Sequence, residues 1–139
     1  PDDVGAYLRV VVTGTNDAGS DVSTSDVTAA VAAAPAAPAA PANTVAASVT
    51  GSAIAGQTLT ADPGTWSGTP APDLAYQWQR CSDSGDLGTC ADIDGASDST
   101  YVLVDPDDVG SYLRVVVIAT NDSGSDTSTS ELTDQIASS

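Results

Sequence analysis

Apolar and polar residues alternate with a period of two through most of the chain from about residue 43 onward. The alternation predicts seven short strands, at residues 45–50, 57–61, 74–80, 90–93, 100–104, 112–120 and 126–132. Turn signals punctuate them, among them Asp62-Pro63-Gly64, Asp94-Gly95 and Asp105-Pro106. No segment carries a 3.6-residue apolar period. Seven strands within roughly 90 residues predict an all-β chain folded as an immunoglobulin-like seven-stranded β-sandwich.

Side-chain parity assigns the faces. In the sixth strand Leu113, Val115, Val117 and Ala119 share one face, and Arg114, Val116 and Ile118 share the other. A charged Arg114 in mid-strand marks the outer face, so Leu113, Val115 and Val117 are expected in the core. In the third strand Leu74, Tyr76, Trp78 and Arg80 share a parity, with Trp78 as the central core residue. Leu59, Ile93, Tyr101 and Leu103 complete the expected core. Val116 and Ile118 leave the outer face apolar, either as a contact surface or as ordinary surface residues of a strand. Trp66 falls in what reads as a loop, where it caps an open end of the sandwich or meets a ligand.

A repeat sets the organisation. Residues 1–28 return at 106–133 without a gap, with 21 of the 28 positions identical at an offset of 105 residues. A period of that length is one small domain, the signature of a tandem array. The expected boundaries are a closing hairpin of a preceding repeat at 1–28, a linker at 29–43, a complete domain at 44–134 and the start of a further linker at 135–139. The linker contains AAAPAAPAAPA at residues 32–42, with proline every third residue. That spacing suits polyproline II and gives a semi-rigid spacer of roughly 30–35 Å when extended.

Composition narrows the function. The net charge is −16, and Arg9, Arg80 and Arg114 are the only cations of a chain without Lys or His. Such a surface repels nucleic acid and anionic lipid. No apolar run is long enough for membrane insertion. Without His or Lys there is little support for catalysis, and the expectation is no enzyme. Cys81 and Cys90 flank an eight-residue loop between two strands and predict a disulfide, which requires an oxidising compartment. Aspartates cluster at several turns, and Asp92, Asp94 and Asp98 are calcium candidates. The alternative is that they cap turns and face water, with no cofactor. Asn121-Asp122-Ser123 fits the N-glycosylation pattern.

Three stretches taken together, GTWSGTPAPDLAYQWQRC at 64–81, CADIDGASDSTYVL at 90–103 and DDVGSYLRVVVIATNDSGS at 107–125, carry a resemblance. They resemble bacterial immunoglobulin-like repeats of actinobacterial type, found in tandem on secreted and surface proteins. The last hairpin resembles fibronectin type III modules through Leu113, Val115, Val117, Ala119, Asn121 and Gly124. The resemblance implies a spacer or adhesive module and no chemistry. The expected role is therefore a structural module of an extracellular fibre, stalk or filament at the bacterial cell surface. Its partners would be neighbouring copies of the same repeat, in one chain or by head-to-tail polymerisation. The alternative is an adhesive module for glycan or another surface ligand, using Trp66 and the loop 83–89.

Overall fold

β-branched and small polar residues fill the strands of this chain, and glycines fill the bends between them. The computed structural model describes residues 2–139 and is all β apart from one short 3-10 helix, Leu87–Thr89. Two units, residues 1–36 and 37–139, are each compact. The first holds β1 (Val11–Asn16) and β2 (Gly19–Thr24), paired antiparallel. The second holds β3 (Ala39–Val45), β4 (Ser48–Thr50), β5 (Thr58–Asp62), β6 (Thr65–Thr69), β7 (Asp73–Cys81), β8 (Cys90–Asp92), β9 (Thr100–Val102), β10 (Tyr112–Asn121) and β11 (Gly124–Thr129).

In the second unit a four-stranded sheet has the order β11-β10-β7-β8, and a three-stranded sheet has the order β4-β5-β9. β3 and β6 form a separate two-stranded pair. All the named strand pairs are antiparallel. One core lies between the two larger sheets. It takes Leu59 and Ala61 from β5, Trp78 from β7, and Leu113, Val115 and Val117 from β10. Leu103, Ala47 and Ile136 close it. This is an arrangement of sandwich type, in which each sheet hides one face and wets the other. The alternation along β10 is strict: Leu113, Val115, Val117 and Ala119 are buried, while Arg114, Val116 and Ile118 are half-buried on the other side.

The structure departs from the pattern-based expectations at five places. Leu74 is 37% exposed, not core. β8 pairs only with Gln79–Cys81, so Leu74 lies on an open stretch of the β7 edge. Tyr76, Ile93 and Tyr101 pack against the core without being fully buried. Trp66 lies in β6, opposite Asn43 of β3, and not in a loop. The stretch 39–43, expected as linker, belongs to β3, with Pro41 buried. Proline is tolerated there because the strand pairs irregularly, with register shifts on both sides of Ala42–Asn43. Finally, Ile136 is 1% exposed, so the core includes residues expected in the next linker. Its amide donates to the Ser111 carbonyl, and Ala137 donates to the Ala53 carbonyl.

Gly64 permits the tight bend between β5 and β6. Its φ is +73°, and a Cβ there would overlap the Val45 carbonyl.

Candidate functional site

Arg80 shares the inward parity of Trp78, and the structure shows what makes an inward arginine stable. Its guanidinium Nε donates to Asp108 Oδ1 at 2.6 Å. Asp108 is fully buried and accepts three further contacts: an ion pair from Arg80, the Tyr101 hydroxyl at 3.1 Å and the Val104 amide at 2.7 Å. A carboxylate removed from water needs such a set of donors. The cluster ties β7 to the connection between β9 and β10. Burial pushes the Tyr101 hydroxyl above its ordinary pKa, and the nearby Asp108 charge adds to this. Burial lowers the Arg80 pKa, but hydrogen bonding and charge from Asp108 outweigh it, so the guanidinium is held above its ordinary value. Among the described residues no buried side-chain nitrogen or oxygen, those of this cluster included, lacks a hydrogen-bond partner.

Cys81 and Cys90 form the expected disulfide, opposite one another across β7 and β8. The loop they close is self-capped. Asp83 accepts from the Gly85 amide, Asp86 accepts from the Gly88 amide, and the Thr89 hydroxyl donates to the Asp86 carbonyl. These are the local side-chain-to-backbone bonds that aspartate and threonine make in turns.

The calcium candidates are not gathered into a ligand set. Asp92 accepts from Gln79 Nε2 at 2.7 Å, which in turn stands in a relay with Arg114 across the outer face. The Asp98 carbonyl accepts from the Trp78 indole at 2.9 Å. Among the described residues no three His, Cys, Asp or Glu side chains form a group able to hold a metal ion. Trp66 is half-buried against the core, and its indole donates to the Pro63 carbonyl at 2.8 Å. Trp66 and the loop 83–89 are not brought together. The loop adjoins Cys81, paired with Tyr112 at the start of β10. Trp66 faces Asn43, whose amide donates to Asp126, paired with Ala119 near the other end of β10. Seven residues of strand, about 23 Å, separate those two positions. The Asn121 amide of the glycosylation pattern donates to the Ala39 and Pro70 carbonyls.

The feature that stands out is the hairpin. β1–β2 and β10–β11 share the same register at every pair, from Val11↔Thr24 and Val116↔Thr129 to Asn16↔Gly19 and Asn121↔Gly124. Their side-chain hydrogen bonds also coincide at the 105-residue offset. The Leu8 and Val10 amides donate to Thr28 and Ser25 hydroxyls, as Leu113 and Val115 donate to Thr133 and Ser130. The Asn16 and Asn121 side chains accept from Ala18 and Ser123. The Val31 amide donates to the Ala6 carbonyl as Ile136 donates to Ser111, so the structural likeness runs past the 28-residue sequence match. Burial is what differs. Leu8, Val10 and Val12 are 45%, 58% and 59% exposed, whereas Leu113, Val115 and Val117 are at 0%. Sequence reasoning found the repeat but missed the Arg80–Asp108–Tyr101 cluster. The signal available was the single cation on the Trp78 face.

No helix among the described residues is long and apolar enough to cross a membrane. No family model matches the chain, and no curated protein matches it.

Proposed function

We propose that this chain is a structural module of an extracellular fibre, stalk or filament, built from tandem immunoglobulin-like domains. The observation that carries the reading is the pair of hairpins with one register and one set of capping bonds. Two copies of an intricately matched element, one period apart, are what a tandem array supplies. In this reading β4, β5 and β9 form one sheet of an immunoglobulin-like sandwich, and β8, β7, β10 and β11 form the other. The disulfide, in a chain free of other cysteines, fits an oxidising exterior. The self-satisfied polar cluster and loop fit a part selected for holding its shape. The high negative charge keeps closely spaced copies from associating without order.

The test is electron microscopy of the native secreted protein together with a glycan array. Beaded filaments or stalks with no glycan hits are the expected result. Dispersed particles that bind a defined glycan, with binding lost in Trp66→Ala, would replace this reading with an adhesive one.

A further inference from the structure

On the outer face of the four-stranded sheet, two residues stand opposite one. The Ser130 amide donates to the Val115 carbonyl and the Thr133 amide to the Leu113 carbonyl, so Glu131 and Leu132 lie together across from Arg114. Two against one is the count of a β-bulge, a device that re-aims side chains along a strand. The first hairpin has the same bulge. The Ser25 and Thr28 amides donate to the Val10 and Leu8 carbonyls, which leaves Asp26 and Val27 across from Arg9. The two copies differ at both bulge positions, and each difference keeps the chemistry, acid for acid and aliphatic for aliphatic.

Arg114 is held in place without being neutralised. Its Nε donates to Gln79 Oε1 at 2.7 Å, and Gln79 Nε2 donates to Asp92 Oδ1 at 2.7 Å. Among the described residues the one side-chain ion pair is Arg80 with Asp108, so Glu131 stands near Arg114 without pairing to it. Both charges border a groove of about 550 Å³, whose walls include Leu87, Leu132, Ser84 and Thr129. Leu87 is 55% exposed, on the self-capped loop that the Cys81–Cys90 bridge closes. A volume of this order is usual for a small-ligand site.

We propose that this groove binds a short peptide with both ends free. Arg114 takes its carboxylate, Glu131 takes its ammonium, and Leu87 and Leu132 take an aliphatic side chain between them. The occupant follows from charge complementarity. A chain of net charge −16 repels a simple anion, and Arg114 opposes a simple cation. A zwitterion carries no net charge and matches both groups, each through a charge-assisted hydrogen bond. A neutral glycan would leave both charges unmatched. The site goes beyond the structural role proposed above and does not rest on it.

Titration calorimetry of the 139-residue chain with leucyl-leucine tests this, beside the same dipeptide acetylated at its amine or amidated at its carboxylate. The expected result is that leucyl-leucine binds and that blocking either end weakens binding by about tenfold or more. Arg114→Gln should make the free and amidated dipeptides bind alike, and Glu131→Gln should do the same for the free and acetylated ones. Glu131 is exposed, so its variant keeps the fold and gives a readout whatever Arg114→Gln does to stability. No binding at dipeptide concentrations up to about 10 mM overturns the proposal. Equal binding of the free and blocked dipeptides also overturns it, by assigning the groove to apolar contact alone.

Discussion

Arg80 occupies an inward position of β7, and Asp108 is the group that stabilises it there. Removing one partner of such a pair leaves the other without its charge complement in a place water hardly reaches. Arg80 retains 32% side-chain exposure, which moderates the cost. Arg80→Met is expected to destabilise residues 37–139 by about 2–3 kcal/mol, read from urea unfolding. Tyr101 gives the cluster an alkaline limit. Its folded pKa lies above the ordinary 10.0, so the neutral hydroxyl is the form the fold favours. The unfolded chain loses that proton first as pH rises. The stabilisation is therefore complete below pH 10 and declines as pH climbs through the folded value. Tyr101→Phe is expected to remove this component of the alkaline decline, measured by thermal melts at stepped pH. The cluster was only half legible in the sequence. Arg80 announced itself by sharing parity with Trp78. Asp108 did not, because aspartate in this chain is so common at turns that one buried example has no compositional mark.

At the scale of the element, the closing hairpin shows how serine and threonine work here. β11 ends at Thr129, and beyond it the Ser130 and Thr133 hydroxyls accept from the β10 amides of Val115 and Leu113. The hydroxyl-rich ending thus serves the strand's own hydrogen bonding. The hairpin also separates intrinsic form from stability, since both copies hold the same register and only one is covered. Leu113→Ala is expected to cost about 3 kcal/mol, because it empties a fully buried site. Leu8→Ala, the same change at the same place in the bare copy, is expected to cost less than about 0.5 kcal/mol. Calorimetry of the two variants checks both figures. The alternation in β10 and the pairing of Cys81 with Cys90 were readable because period two and strand-end cysteines are strong local signals. β6 was not, since Gly64 and Gly68 give it the look of a turn. β3 was hidden by its prolines. Tertiary partners hold both: β6 is the antiparallel neighbour of β3, and Asp126 accepts from the Asn43 amide.

At the scale of the molecule, hydrogen-bonded structure reaches into the Ala/Pro stretch from both sides. Val31 is hydrogen-bonded within the first unit, and Ala39 already belongs to β3 in the second. The proposed structural role requires residues 37–139 to resist extension as one body, and their two larger sheets share one core. Pulling on single chains between their ends tests this central claim most directly. The account predicts one cooperative unfolding event from residues 37–139, lengthening the chain by about 300 Å. Reducing Cys81–Cys90 should add about 30 Å to that step, from the loop the bridge withholds. Smooth extension without a force peak, or a series of small independent steps, would contradict the account.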